Sequence, residues 1–588
     1  MKYSALSDVY EKIEKTTKRL EMTDFLVTLL KNTPQEVLDK VVYLTQGKIY
    51  PDFVDLEIGI AEKLAMKAIA RATGRKEDQI KTDLEKTGDL GETTEFLVND
   101  KKQATLFHQS LTVLSVYETF ERMAKAAGPG SIDLKISLLA GLLSNASPKE
   151  GRYIIRTVTG NLRLGIAAMT VLDGLAIAFG GGKEHRDRIE RAYNISSDLG
   201  KVAITLAEKG LKGVTDFRVS IGNPIRPMMA ERLSSPLEIL EKLGGKCAAE
   251  YKYDGERIQA HKQADDISLF SRRLEKISNQ YPDAIELLKR CVLAEDAILE
   301  AECVAVNPDT GEILPFQELM HRRRKHDIAE TMKRYPVALF LFDALYINGE
   351  DLTTKPYPVR RQLLEQSIRE EERIRSAEQV TTDEIEVLEN FFTKAVEEGC
   401  EGLVCKSIAS NSIYQAGARG WLWIKYKRDY KSEMTDSVDL VIVGAFHGKG
   451  RRAGNYGALL LAAYNPKENI FETVTRCGTG FTDEDLEKLP KMMHKQVIPQ
   501  KHLRVRSKIE ADIWFQPYTV IEIQGAEITL SPVHVCAIDV IRKGSGLAIR
   551  FPRFTGNYRI DKGAEDATTN MEIVTMYKNQ FRKMEKNA

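Results

Sequence analysis

The chain has 588 residues, and 85 Lys and Arg balance 85 Asp and Glu, so the formal net charge is zero. At roughly 150 residues per domain this length predicts two to four domains, and 43% hydrophobic with 29% charged residues suits soluble domains with real cores. The balance excludes a whole-surface polycation and an acidic disordered tail, while leaving room for local charge asymmetry. Apolar runs such as Val337 to Phe342 and Ala458 to Ala463 fall far short of the ~20 residues of a membrane span. Met1 to Leu30 mixes charges with apolar residues, so no signal-peptide core is read there. Seven cysteines form no CxxC pair and complete no zinc set, which predicts reduced thiols in an intracellular protein.

Residues 1–220 read as helical. Apolar residues recur three and four apart, as at Phe107, Leu111 and Leu114, and again at Leu134, Leu138 and Leu139. Ser147-Pro148-Lys149-Glu150 predicts a helix start: Ser caps, Pro takes the first helical position, and Glu closes the capping box. That helix is expected to run to Val158 and break at Gly160. A loop from Gly160 to Gly165 then feeds a second helix near Met169. Gly213 to Pro227 reads as turns or a linker.

Residues 221–430 alternate short β-rich runs (Ala297 to Val306, Val337 to Leu345) with charged helical stretches (Arg360 to Ala377, Thr382 to Glu398), a mixed α and β pattern. From 431 strands dominate. Val438 to Phe446, Ala458 to Tyr464, Phe471 to Cys477, Tyr518 to Thr529 and Val533 to Ile541 fit a small barrel of about five strands, closed by a helix after Glu565. Charge divides with these segments. Residues 1–220 carry +2, 221–430 carry −6 and 431–588 carry +4. The carboxylate-rich middle suits metal binding, and the flanks are mildly basic.

The middle segment contains Glu250-Tyr251-Lys252-Tyr253-Asp254-Gly255-Glu256-Arg257. Alone, this lysine is more often a surface residue on a strand. Downstream come Phe270-Ser271-Arg272-Arg273, Leu299-Glu300-Ala301-Glu302, Leu341-Phe342-Asp343, Glu401-Gly402-Leu403-Val404-Cys405-Lys406 and Trp423-Ile424-Lys425-Tyr426-Lys427, with Arg550-Phe551-Pro552-Arg553-Phe554 near the end. Six such motifs in this order resemble the ATP-dependent DNA ligases of the archaeal and eukaryotic replicative type, members of the covalent nucleotidyltransferases. The motifs span roughly residues 250–562; the helical front and Pro224-Ile225-Arg226-Pro227-Met228 resemble the same family.

The resemblance implies an all-α N-terminal DNA-binding domain over 1–220, an α+β nucleotidyltransferase (adenylation) domain over 221–430, and an all-β OB-fold barrel with a C-terminal helix over 431–588. It implies ATP and Mg²⁺ as cofactors, with Mn²⁺ an admissible substitute, and nicked duplex DNA as substrate. Lys252 would attack the α-phosphate of ATP. A lysine at its ordinary pKa of ~10.4 is protonated at pH 7 and cannot attack. Lys425 and Lys427, on one strand face by their i, i+2 spacing, are expected to depress the pKa of Lys252 and meet the phosphate. Glu302 and Glu401 are the candidate Mg²⁺ ligands. By resemblance Asp254 serves the later DNA steps, Phe342 stacks on adenine, and Glu250 accepts from the adenine amino group. Arg257 and Arg272 contact ribose or nick phosphate, Arg419 the nucleotide, and Lys406 the nucleotide or a DNA phosphate. Arg550, Arg553 and Lys562 would orient pyrophosphate when the barrel closes over ATP. Four residues separate Phe554 from Arg559, where three are more usual in the family.

Sealing a nick needs phosphate contacts rather than a base code. Arg163 and Gly165 in the Gly160–Gly165 loop are candidate DNA contacts, against a plain helix-connecting turn. In the basic run His321-Arg322-Arg323-Arg324-Lys325, Arg322 represents a DNA-facing patch, against solvated surface. Gln103-Ala104-Thr105-Leu106-Phe107 resembles the clamp-binding motif of archaeal ligases, with Gln103, Leu106 and Phe107 as the docking residues, against an ordinary helix start. The expected protein is a cytoplasmic, archaeal monomer. Within the superfamily an RNA ligase or a GTP-using capping enzyme is the runner-up. A non-catalytic scaffold with a dead ligase fold is the rival from another class.

Overall fold

Helices fill the chain up to Thr215, in a computed structural model that describes every residue except 101–108, 309–310, 315, 324–327, 428–436, 449–453, 526 and 586–588. The predicted start at Ser147 is a full capping box: Ser147 Oγ accepts from the Glu150 N–H, and Glu150 accepts from the Ser147 N–H at 2.8 Å. The helix Pro148–Val158 buries Tyr153, Ile154, Ile155 and Val158, while Arg152 and Arg156 pair with Glu14 of the first helix, Tyr3–Glu14. Helix Ala168–Phe179 follows the Gly160–Gly165 loop as expected. The stretch expected to be linker from Gly213 is in part helix: Leu199–Thr215 continues past a non-helical Gly210. The chain is irregular only after that, to Met228.

Two compact units emerge, Met1–Arg75 with Thr94–Lys427, and Lys76–Thr93 with Arg428–Ala588. In the first, two sheets follow the helices. One has the order β1 (Met229–Arg232), β11 (Arg419–Lys427), β10 (Gly402–Ser407), β2 (Cys247–Lys252), β9 (Gln379–Thr382). The other runs β4 (Asp266–Ser271), β3 (Glu256–Gln263), β5 (Asp296–Ala305), β6 (Val337–Ile347), β7 (Glu350–Asp351), with β8 (Ile374–Ser376) parallel to β6. Each has its own core. Leu388, Phe392 and Ala395 of helix Ile385–Glu397 pack under Tyr251, Leu403, Ile424 and Tyr426. Leu287, Leu288 and Cys291 of helix Pro282–Cys291 pack on Ile258, Leu299 and Leu341. The helix expected over Arg360 to Ala377 is shorter, Tyr357–Gln366; the remainder turns to lay β8 beside β6.

In the second unit β12 (Val438–His447), β13 (Tyr456–Asn465) and β14 (Ile470–Cys477) form an antiparallel meander. Short strands β15 (Val497–Ile498), β16 (Val505–Arg506) and β17 (Ile513–Phe515) extend it, and β18 (Val520–Gln524) pairs both β12 and β21 (Arg553–Tyr558). The single strand expected over Tyr518 to Thr529 is divided between β18 and β19 (Glu527–Ser531), which pairs with β20 (Gly546–Arg550). Val533 to Ile541 is not a strand. Ala537 and Asp539 take left-handed φ of 49° and 65°, so this stretch turns and only Cys536 bridges to Leu547. Helix Asp483–Met493, capped by Thr482, went unpredicted; the closing helix is present as Asn570–Glu585, with Ile573 and Val574 in the barrel core. The stretch between Phe554 and Arg559 contains a bulge. Ile521 and Ile523 of β18 face Tyr558 and Phe554, and Gly556 takes φ 94° between them.

Candidate active site

Strand register builds a face of three rows across β2, β10 and β11. Lys252, Gly402 and Lys427 stand opposite one another, then Glu250, Val404 and Lys425, then Ala248, Lys406 and Trp423. Alternation puts all nine on one side, and the other side is the Tyr251, Leu403 and Tyr426 core. Gly402 makes the first row possible. Its φ is 142°, and a Cβ there would meet the Tyr426 carbonyl oxygen at 2.2 Å.

The first row carries two lysines. Lys252 Nζ lies 2.5 Å from Glu401 Oε2, and Lys427 Nζ lies 2.5 Å from the same oxygen. Glu401 is fixed by its own N–H, which donates to the Lys252 carbonyl at 2.8 Å. Burial works against the Lys252 ammonium, but Glu401, Glu302 and Asp254 outweigh it and hold its pKa above the usual lysine value. That corrects the expectation that Lys425 and Lys427 depress it: three carboxylates surround Lys252 and dominate. Burial pushes Glu302 up to about 7. Burial and the charge of Glu401 push Asp254 up to about 6. Burial also opposes the Glu401 charge, yet Lys252 and Lys427 bring it down to about 2. Lys425 is lowered by burial and then by Arg419, Lys427, Lys252 and Arg272, so these cations gather here, with Arg272 and Arg419 exposed. Among the described residues no group of three or more ligand side chains stands ready as a metal cage. Glu302 and Glu401 are the carboxylates beside Lys252 that could take part in holding a divalent cation, an ion commonly bound by one or two carboxylates together with substrate phosphates.

The third row leads to a buried polar cluster around Glu250. Lys406 is 1% exposed and donates to Glu250 Oε2 at 2.6 Å and to the Phe342 carbonyl at 2.9 Å, ringed by Phe342, Tyr357 and Trp423. It is a buried partner of Glu250, which corrects the expectation that it reaches a DNA phosphate. Glu250 also accepts from Tyr357, Arg361 and Gln379. Arg257 lies over Phe342 and Trp423, with its donors taken by Glu300 at 2.7 Å, the Met228 carbonyl at 2.7 Å and Tyr414. Its first task is therefore to tie the Pro224–Met228 stretch to the sheet. Glu300, Tyr357, Arg361, Gln379 and Tyr414 escaped the sequence reading. Glu300 and Gln379 carry the signal of polarity inside strands, whereas Tyr357 and Arg361 lie in a helix that reads as charged and Tyr414 lies in a loop.

Other predicted residues lie elsewhere. In the Gly160–Gly165 loop Leu162 and Leu164 are buried while Arg163 and Gly165 are exposed, with φ of 56° and 69°. Arg322 is a correction: it is 1% exposed, pairs with Asp283 at 2.6 Å and donates to two carbonyls, because it ties helix Pro282–Cys291 to the chain around Tyr335. It is no DNA-facing patch. In the barrel Arg550 and Arg553 are exposed, whereas Lys562 and Arg559 both reach Asp439 at 2.6 Å. Gln103, Leu106 and Phe107 lie outside the described residues. All seven cysteines are buried and free, and no described helix is long and apolar enough to cross a membrane.

Known proteins match this arrangement along the chain. Residues 2–176 match the family model "DNA ligase N terminus", 227–427 "ATP dependent DNA ligase domain", and 452–562 "ATP dependent DNA ligase C terminal region". The chain is 56% identical to "DNA ligase 2" of Thermofilum pendens, covering 98% of this chain and 97% of that one. It is 53% identical to "Probable DNA ligase" of Aquifex aeolicus (99% of each) and 52% identical to "DNA ligase" of Staphylothermus marinus (99% and 100%). The solved structure named Pmar-Lig_PreS3 shares the fold, with TM-score 0.52, 16% identity, and 94% of this chain and 99% of that one covered. Motif order, domain sequence and near-complete coverage agree: the chain belongs to the ATP-dependent DNA ligases.

Proposed function

We propose that Lys252 is the residue that becomes adenylated, and that the protein seals nicked duplex DNA through segments 1–220, 221–430 and 431–588. The observation that carries this is the Lys252–Glu401–Lys427 contact on the same sheet face as the Glu250–Lys406 pair, with Phe342 beside Lys406. In step one the Lys252 amine attacks the α-phosphate of ATP, a P–N bond forms and pyrophosphate leaves. In step two AMP passes to the 5′-phosphate at the nick. In step three the 3′-hydroxyl attacks that phosphate and releases AMP. Glu250 accepts from the base amino group, Phe342 stacks on the ring, and Lys425 and Lys427 meet the phosphates. Glu302 and Glu401 would hold Mg²⁺, which would supply positive charge for the leaving pyrophosphate. Asp254 serves the DNA steps. Arg272 and Arg419 serve nucleotide or nick phosphate. Arg550, Arg553 and Lys562 orient pyrophosphate.

Arg163 and Gly165 contact the DNA backbone in this reading. Gln103, Leu106 and Phe107 dock a sliding clamp, and the protein works as a cytoplasmic monomer in replication and repair. One experiment tests the core of the proposal. With Mg²⁺ and labelled ATP, covalent label should appear on the wild-type chain, vanish in Lys252→Ala and move on to nicked DNA. A folded chain that takes no label sinks it. For the clamp, Leu106→Ala with Phe107→Ala should abolish co-elution.

A further inference from the structure

Glu250 is held unsymmetrically. Its Oε1 accepts the Tyr357 hydroxyl, Arg361 Nη1 at 3.2 Å and Gln379 Nε2 at 3.3 Å, whereas Oε2 accepts only Lys406, at 2.6 Å, among the described residues. A carboxylate oxygen offers about two lone pairs. Oε1 is therefore filled and Oε2 retains one acceptor position. The donors on Oε1 are themselves fixed. Arg361 Nε donates to Glu365 at 2.6 Å and its Nη2 to the Ala377 carbonyl at 2.9 Å. Gln379 Nε2 also donates to the Tyr357 hydroxyl at 2.5 Å, and the Tyr357 N–H to the Ser412 carbonyl at 2.9 Å. The same helix, Tyr357–Gln366, holds the stacking residue's neighbour: Arg360 and Asp343 form an ion pair with both side chains at 0% exposure.

We propose that Arg361, with Tyr357 and Gln379 beside it, is a positioning residue for base selection: by filling Glu250 Oε1 it leaves Oε2 as the single acceptor that reads the purine 6-position. An amino group there donates to Oε2. A 6-oxo purine instead sets a carbonyl oxygen against a carboxylate oxygen, and a buried polar group left unpaired is the stronger basis of rejection. Released from Arg361, Glu250 can swing and the two oxygens lose their division of labour. The inference rests on the reading of Glu250 as the base-reading carboxylate.

The test uses the full chain, Mg²⁺, and α-labelled ATP or inosine triphosphate, which carries an oxo group at position 6. Labelling rate and half-saturating concentration are measured for each. Arg361→Gln should raise the half-saturating ATP concentration roughly tenfold, leave the saturated rate within about twofold, and cut the ATP-over-inosine preference roughly tenfold. Arg361→Lys should recover part of that preference, and Tyr357→Phe should lower it less. An unchanged preference in Arg361→Gln, with Glu250→Gln lowering it, overturns the positioning role while the base reading stands. An unchanged preference in Glu250→Gln as well overturns the base reading too. Should Arg361→Gln fail to fold, the preference of Tyr357→Phe decides in the same way.

Discussion

In the proposed reading, with a base end at Glu250 and a phosphate end at Lys252, the two ends of the site solve opposite problems. At the base end every charge has found a partner within the protein: Glu250 with Lys406 and Arg361, Asp343 with Arg360, all nearly or wholly buried. At the phosphate end charges of like sign crowd together. Three carboxylates surround Lys252, two of them held well above their ordinary pKa, and five cations, Lys252, Arg272, Arg419, Lys425 and Lys427, gather there. These pairs preorganise the base end. The phosphate end gathers charges that polyphosphate and a divalent cation would complement. Substitutions at the base end should therefore act first on folding or selectivity, and those at the phosphate end on rate.

The largest expected effect is Arg360→Met, which leaves Asp343 buried without its cation. Chemical denaturation should report about 3–5 kcal/mol of lost stability, and a loss below ~1 kcal/mol would break the contrast. Next is Lys427→Ala, which leaves Glu401 to Lys252 alone. Self-adenylation should slow by roughly 10²-fold with a melting temperature close to that of the parent. A smaller effect is expected from Glu302→Gln. The folded pKa of Glu302 is raised to about 7, so its proton is bound more tightly in the folded chain and its charge costs stability as pH rises from the unfolded value through 7. Without Mg²⁺ the variant should therefore melt higher than the parent at pH 8, and the gap should close by pH 5 and on adding Mg²⁺. A gap widening towards pH 5 would reverse the assignment. The smallest is Arg163→Ala, outside this site: the salt dependence of nick binding should lose about one unit of slope.

Much of the candidate site was legible because its residues travel in strands. Lys252, Glu302, Phe342, Lys406, Lys425 and Lys427 come from short runs whose two-residue alternation fixes a face, and Glu401 adjoins one of them. The scaffold that holds them was not. Tyr357, Arg360 and Arg361 sit in a charged helix that reads like a solvated one, and only the fold reveals which of its charges turn inward. Arg322 misled for the same reason. A basic run says nothing about which member meets a buried Asp283. Val533 to Ile541 has strand composition, but left-handed backbone at Ala537 and Asp539 overrides it. The pKa of Lys252 followed the neighbours that strand order brings to it, and these lie up to 149 residues away along the chain, at Glu401.

Strands β2 and β11 never touch; β10 lies between them. A slip of one residue in either pairing would turn Lys252, or Trp423, Lys425 and Lys427, onto the opposite, core-facing side. With Lys252 as the proposed nucleophile, self-labelling would report on assembly as well as on chemistry, because a chain whose sheet had set in the wrong register would carry no label.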